Sequence, residues 1–282
     1  MIAITGANGH LGKATMKCLL KKISGKNIIA IVRDPSKLSE FKDAGIIVRK
    51  ADYEDIISLN EALKGIDTLL QISTTSMGER GIGQELNVVE AAKRQGIRHI
   101  VYTSGLKPDN EAHFLAVKQC LRTEQAILDS GMVYSILRNS LYMETIPLFM
   151  GNAVEEGGFY LSAGKGKVSF VSREDIAEAL CTVLTGNGHQ NRIYEITGSD
   201  SFGFDDIAAL LSKNQAKRVA YVDVPEEVLR EELLKSGMPE EEVGWFLSLI
   251  ESIKHNEFAH VEDTLERLIQ RKPQTLQDYL KR

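Results

Sequence analysis

Short apolar runs alternate with amphipathic stretches along the first half of the chain. The runs cover residues 2–5, 27–32, 46–50, 67–72, 99–103 and 133–137, with amphipathic segments at 13–22, 83–94 and 114–128 between them. The runs are continuous rather than alternating, which is the pattern of strands buried on both faces. They therefore predict a parallel sheet covered by helices on each side. Six strands in that rhythm make a Rossmann-like, doubly wound α/β domain.

Beyond Arg138 the rhythm breaks. The stretch SLYMETIPLFMGNAVEEGGFYLSAGKGKV holds two turn clusters and no clear helix pair. SREDIAEALCTVLTG then reads as a helix, with Ser172 as its N-cap, an acidic first turn and Gly186 just past its end. FDDIAALLSK, VPEEVLREELLKSG and MPEEEVGWFLSLIESI follow as further helices, with Gly237 as a stop and Pro239 as a start. The expected organisation is a dinucleotide-binding domain from residues 1–138 plus roughly 168–190. A smaller, mostly helical substrate lobe comes from roughly 139–167 and 191–282. That lobe is expected over the carboxyl edge of the sheet, where open α/β sheets bind ligands.

Composition narrows the picture. The 282 residues are 43% hydrophobic and 26% charged, ordinary for a globular enzyme with a full core. A net charge of −5 leaves no basic footprint, so no direct nucleic-acid partner is expected. No apolar stretch nears the ~20 residues a membrane helix needs, and Met1 leads straight into the first strand with no room for a signal peptide. Cys18, Cys120 and Cys181 lie far apart without a C-x-x-C pair, which implies neither a disulfide framework nor a zinc site. The expectation is a cytoplasmic monomer or homodimer, without a metal and without membrane attachment.

The opening ITGANGHLGKAT carries the first chemistry. Gly6 ends the first strand in a tight turn, Gly9 removes a side chain where a pyrophosphate would approach, and Gly12 lets the helix pack on the strand. Backbone N–H groups and the helix dipole would then hold the anion, with Asn8, His10 and Leu11 in the same loop and first turn. The glycines follow a strand, precede a helix and open the six-strand alternation, which is the context that gives such a motif meaning. At the end of the second strand, in IIAIVRDPSK, Arg33 comes first, and Asp34 reads as the N-cap of a helix led by Pro35. An acid here suits the ribose hydroxyl of NAD, whereas Arg33 with Lys37 suits a 2′-phosphate and favours NADP(H). Asp52 either accepts from an adenine amino group or caps the helix starting near Glu54. Ser73, Thr74 and Thr75 follow the fourth strand, where they would meet pyrophosphate or nicotinamide ribose, or simply form the turn.

TGANGHLGKAT, AIVRDPSK, ADYED, YTSG after the fifth strand, and DSGMVYSILRN together resemble the NmrA-like, atypical short-chain dehydrogenase/reductase family. The similarity runs over nearly the whole length, including LIQRKPQTLQDYL, and is strongest toward bacterial NADPH-dependent quinone oxidoreductases of the type-two kind. The resemblance implies an NADP(H) pocket built from Gly6, Gly9, Gly12, Arg33 and Asp52, with Tyr53, Ile72, Ser73, Thr74, Thr103 and Ser104 along the strand ends. It implies a substrate cleft between the two lobes. The family also holds members that bind the dinucleotide and regulate transcription without turnover, so fold alone does not decide.

Ordinary dehydrogenases of this superfamily carry Y-x-x-x-K, and no tyrosine of this chain has a lysine four residues on. That absence argues against alcohol–carbonyl chemistry and against a nucleotide-sugar epimerase, since both need a strong proton partner. The resemblance puts Cys120 at the usual lysine position. Lys118, two residues earlier, falls about 200° around the helix. His113 near that helix start could donate a proton or be a plain surface histidine. Asn139, after LR in LRNSLYM, could orient a carboxamide or substrate carbonyl, or form a turn. A quinone-like acceptor changes the requirement, because hydride from the nicotinamide leaves a charge spread over an aromatic ring and water can protonate it. Phe114, Tyr142, Phe149 and Trp245 are the candidate lining for such a ring. The expected function is NADPH-dependent reduction of quinone-like acceptors, with an NADP(H)-binding redox sensor as the alternative.

Overall fold

In the computed structural model, which describes residues 1–41 and 43–281, each apolar run of the first half becomes a strand and the amphipathic stretches become helices. In chain order these are β1 (Ile2–Ile4), α1 (His10–Leu19), β2 (Ile28–Val32), β3 (Ile47–Lys50), α2 (Ile56–Ala62) and β4 (Thr68–Gln71). Then come α3 (Gly78–Arg94), β5 (His99–Gly105), α4 (Leu115–Asp129) and β6 (Val133–Asn139). Two short helices, α5 (Ile146–Met150) and α6 (Ala153–Glu156), lead to β7 (Gly158–Leu161), β8 (Lys167–Val168) and α7 (Arg173–Thr185). Next are β9 (Arg192–Ile196), β10 (Phe202–Gly203), α8 (Phe204–Gln215) and β11 (Ala220–Asp223). The chain ends in α9 (Glu226–Lys235), α10 (Glu240–Lys254), α11 (Thr264–Ile269) and α12 (Leu276–Tyr279).

Seven strands form one parallel sheet in the order β3-β2-β1-β4-β5-β6-β9. The chain builds outward from β1 through β2 to β3, then crosses back to β4 and builds the other way. The reversal between β1 and β4 opens a crevice at their carboxyl ends. Alternation along each strand divides the core. Ile4, Ala30, Val101 and Leu137 face α1, α7 and α11 through Met16, Leu19, Ile176, Leu180 and Leu265. Their neighbours Ala3, Ile29, Ile100, Tyr102 and Ile136 face α2, α3 and α4 through Leu59, Val88, Ala92 and Ile127. Each buried Val, Leu, Ile or Met among them contributes about 1.5–3 kcal/mol relative to exposure. A third core, built on Phe149, Phe159, Phe204, Leu247, Ile250 and Phe258, fills the smaller lobe.

The cap signals fall where the sequence places them. Ser172 accepts the Asp175 N–H at 3.1 Å, and Gly237 follows α9 with φ +90°. Three features differ from the sequence reading. The seventh strand, β9, and helix α11 join the large sheet and its core, although their residues were expected in the smaller lobe. RIYEI lies at the sheet edge with Arg192 exposed and Ile196 buried, so it lacks the continuous apolar run that marks the inner strands. Helices α5 and α6 are too short to display a helical period. The lobe also contains two small strand pairs, β7 with β11 and β8 with β10. Among the described residues no helix is long and apolar enough to cross a membrane.

Candidate active site

The crevice between β1 and β4 is floored by the glycine turn. Gly6 adopts φ +62°, a left-handed conformation open to glycine, and its carbonyl accepts the Gly9 N–H at 2.9 Å. Gly9 is the N-cap of α1, so no side chain caps that helix, and its first turn holds no acidic residue. The uncapped N–H groups and the positive end of the helix dipole are therefore left for an incoming anion. Gly12 has a different task. A Cβ there would lie 2.6 Å from the Gly6 carbonyl oxygen and 2.8 Å from Ala7 Cα, so only glycine lets α1 pack against the turn.

Gly6, Asn8 and Gly9 line a cleft of about 230 Å³ together with Arg33, Asp52, Tyr53, Ile72, Ser73, Thr74 and Thr75. Arg33 stands exposed at its lip with no hydrogen-bond or ion-pair partner among the described residues. Asp34 turns away and accepts from the Ser36 N–H and hydroxyl at 3.0 and 2.7 Å, which holds its carboxyl below the usual range. Asp52 accepts the Glu54 N–H at 3.0 Å, while the cap of α2 is Asp55, which takes the Ile57 and Ser58 N–H groups. The helix-cap alternative for Asp52 is thereby excluded. The Tyr53 hydroxyl donates to the Ile72 carbonyl at 3.0 Å and ties β3 to β4 across the cleft floor; burial pushes its phenol far up.

Six residues expected at this cleft do not line it. His10 is exposed in the first turn of α1, Leu11 is buried in the core, and Gly12 packs against the turn. Lys37 sits in the turn after Asp34, away from the lining. Thr103 lies one layer deeper and accepts the Ser73 N–H at 3.0 Å, positioning that residue. Ser104 belongs to the neighbouring cleft. The sequence reading missed Ile31, Val32, Ala51, Ser76 and Gln84, which complete the lining. Register would have signalled two of them, because the Ala51 N–H bonds the Val32 carbonyl at 3.0 Å beside Arg33 and Asp52.

A second cleft, of about 260 Å³, meets the first at Ser73 and runs under the smaller lobe. Phe114, Tyr142 and Phe149 line it, with Phe246, Leu249 and Phe258 facing them. Trp245 does not: it packs edge-on against Phe114 at 5.8 Å, and its neighbour Phe246 on α10 takes the cleft position. Asn139 is only 4% exposed and lines the cleft; its amide has the Tyr142 hydroxyl beside it and the Ser104 hydroxyl has the Cys120 thiol beside it, but neither pair forms a well-aligned hydrogen bond. Buried polar atoms left unmade cost about 1–3 kcal/mol each, so these groups fit a ligand that supplies the missing bonds.

The proton inventory of this cleft is short. Burial pushes the Cys120 thiol up to about 12. It also pushes the Tyr142 phenol up to about 12, although Arg173 sits over the ring at 4.9 Å and works the other way. Neither group releases a proton near neutrality. His113 lies outside the cleft, held by Glu257 and stacked on His255; Lys118 is also outside the lining. Arg138 is committed to buried Glu124, at 2.7 and 3.0 Å. Behind the cleft, Glu85 is fully buried and accepts from Tyr102 at 2.5 Å, Thr123 at 2.7 Å and the Thr74 N–H at 3.0 Å. Burial raises its carboxyl above the usual range against those bonds.

The chain is similar to known proteins over almost its entire length. It is 39% identical to quinone oxidoreductase 2 of Escherichia coli K12 over 240 residues, covering 85% of this chain and 83% of that protein. The structure of the E. coli NADPH-dependent quinone oxidoreductase QOR2 with NADPH superposes with a TM-score of 0.95 at 35% identity, over 99% of this chain and 98% of that one. Triphenylmethane reductase from Citrobacter sp., solved with NADP(H), gives 0.93 at 34% identity, over 100% and 99%. The NmrA-like family profile matches residues 1–280, and with a Rossmann sheet, a glycine turn and a cleft under a smaller lobe the chain belongs to the NmrA-like family.

Proposed function

We propose that this chain is an NADPH-dependent oxidoreductase that passes hydride to quinone-like acceptors. The observation that carries the reading is the junction of two unlike clefts at Ser73. One is polar, with an open helix N-terminus and the free guanidinium of Arg33. The other is walled by phenylalanines, with the buried amide of Asn139 in its wall. The relatives solved with NADPH or NADP(H) support the choice of cofactor.

NADPH bound in the first cleft would supply the hydride and its electron pair. Gly6 and Gly9 would give the backbone room for its pyrophosphate, and Arg33 would pair with the 2′-phosphate. The aromatic walls take a flat acceptor ring and exclude water from its faces, so orientation comes from Phe114, Phe246 and Tyr142 rather than from a charged clamp. The Asn139 amide and Ser104 hydroxyl donate to the acceptor oxygen on which charge develops. The remaining proton comes from solvent, because a hydroquinone is a weak acid with a phenol-like pKa of roughly 10. Tyr102 cannot serve as a dehydrogenase tyrosine: its hydroxyl is buried and spent on Glu85.

Steady-state NADPH oxidation with a panel of small quinones tests the proposal. Turnover with quinones and negligible NADP⁺-dependent oxidation of simple alcohols is the expected result. Tight NADPH binding without turnover on any quinone would instead favour the redox-sensor reading. In that case a partner must bind the NADP⁺ and NADPH forms with different affinity.

A further inference from the structure

Outside both clefts, four titratable side chains meet where the start of α4 comes against the end of α10. His113 immediately precedes Phe114. Glu251 and His255 lie four residues apart, one on α10 and one at its C-cap. The two histidine rings stack with centroids 4.2 Å apart and planes 10° from parallel. The His255 Nε2 lies 2.9 Å from Glu251 Oε1, and donor atoms of His113, Glu251 and His255 all lie within 4.8 Å of one another. Glu257 bonds His113 Nδ1 and also accepts the His113 backbone N–H at 3.1 and 3.2 Å. None of these four residues lines a cleft, and the hydride reaction uses none of them.

We propose that His113, Glu251 and His255 form a binding site for a divalent transition metal of the zinc class. Two imidazole nitrogens with one carboxylate oxygen are the donor set such ions take, with a fourth position left to water. The i,i+4 spacing puts Glu251 and His255 on one helix face as a chelating pair. Glu257 supplies the outer shell. A carboxylate on Nδ1 fixes the ring and tautomer of His113 and leaves Nε2 as the donor, the arrangement found behind metal-ligating histidines. Metal–nitrogen bonds of about 2.0–2.1 Å require the donors to close toward one another. Parallel rings cannot both aim an in-plane lone pair at one ion, so the His255 ring must turn out of the stack on binding; it is exposed at a helix end and Glu251 is long, so both can move. Lys254, 3.4 Å from Glu251 Oε2, is the cation the metal must displace. An occupied site would staple the start of α4, which carries Phe114, to the end of α10, which carries Leu249.

Cobalt(II) and zinc(II) titrations of the full chain test the site. One equivalent of Co²⁺ per chain is expected, with visible d–d bands of a low-coordinate nitrogen–oxygen site. His113→Ala and His255→Ala should each weaken binding at least tenfold, and Glu257→Gln by about 10- to 100-fold. His260→Ala alters the other histidine–carboxylate cluster, with Glu195 and Glu262, and should change nothing. Zinc should raise the thermal midpoint of the wild type and leave that of His255→Ala unmoved. His255→Asn replaces the alanine variant should that fail to fold. Absence of saturable binding below millimolar metal overturns the proposal. So does binding that survives both histidine substitutions, or a near-ultraviolet thiolate charge-transfer band that puts the metal on a cysteine.

Discussion

Arg33→Ala separates the two nicotinamide cofactors most sharply. The guanidinium is exposed at the end of β2 and has no partner among the described residues, so nothing in the protein competes with an incoming phosphate. At a separation near 4 Å, one pair of unit charges is worth about 1 kcal/mol in bulk water and about 4 kcal/mol at a surface-like dielectric. Exposure puts Arg33 toward the lower figure, while the second charge of the phosphate and a charge-assisted hydrogen bond raise it, giving about 1.5–3 kcal/mol. In dissociation constants that is roughly 10- to 150-fold. Calorimetry on the wild type should show NADPH binding tighter than NADH by that factor. Arg33→Ala should remove most of the gap by weakening NADPH alone. The gap should also shrink between 0.1 and 1 M salt, where the screening length falls from about 10 to about 3 Å. Equal affinities in the wild type, or a preference for NADPH that survives Arg33→Ala, would refute the reasoning.

Gly9→Val should abolish NADPH binding in calorimetry, because a branched side chain there fills the cleft, at a stability cost of about 1 kcal/mol from the lost N-cap glycine and a Cβ 3.2 Å from the Gly6 carbonyl oxygen. Gly12→Ala should cost about 1–3 kcal/mol in denaturant melts, because its Cβ meets the Gly6 carbonyl oxygen at 2.6 Å. Cys120→Ala should leave quinone turnover nearly intact, since a thiol pushed up to about 12 is neither nucleophile nor acid at neutral pH; loss of activity that tracks thiol modification would count against this. The quinone rate should vary only weakly between about pH 6 and 8, as Cys120 and Tyr142 both stay protonated across that window. A bell-shaped profile would reveal an acid this cleft does not display. Glu85 has a folded-state pKa raised above its unfolded value, so its protonated form favours the native state and that advantage is lost as pH rises. Wild-type stability should therefore fall relative to Glu85→Gln from about pH 4.5 upward, at up to about 1.4 kcal/mol per pH unit until the folded-state pKa is reached. Parallel stability curves for the two proteins would disprove it.

The strands that build the crevice were legible because inner parallel strands carry unbroken apolar runs, and Gly6, Gly9 and Gly12 announced the turn. The edge strand β9 was not, because water on one side permits Arg192 and Glu195 among its apolar positions. The polar end of the first cleft could be read from local spacing, since one loop and two strand ends supply it. The apolar cleft could not be read as fully. Its far wall, Phe246, Leu249 and Phe258, comes from residues more than a hundred positions away from Phe114 and Asn139. Choosing Trp245 over Phe246 was a register error of one residue on α10, about 100° around the helix, which turns a side chain from cleft to support.

The departure from Y-x-x-x-K gains meaning from where the two positions fall. The resemblance that puts Cys120 at the lysine position puts Ala116 at the tyrosine position, and both residues line the apolar cleft. On that correspondence, the place of the usual proton machinery on α4 holds a methyl group and a thiol that burial keeps protonated. Two consequences follow together. The volume a tyrosine ring would occupy is free for a flat acceptor beside Phe114, and the cleft loses the acid that an isolated alkoxide would need. An acceptor whose negative charge spreads over a ring needs shape and one or two hydrogen-bond donors more than it needs an acid. Asn139 and Ser104, buried in its wall, are donors this cleft offers. Size and charge delocalisation of the acceptor, rather than a matched pKa in the protein, are therefore what this site selects.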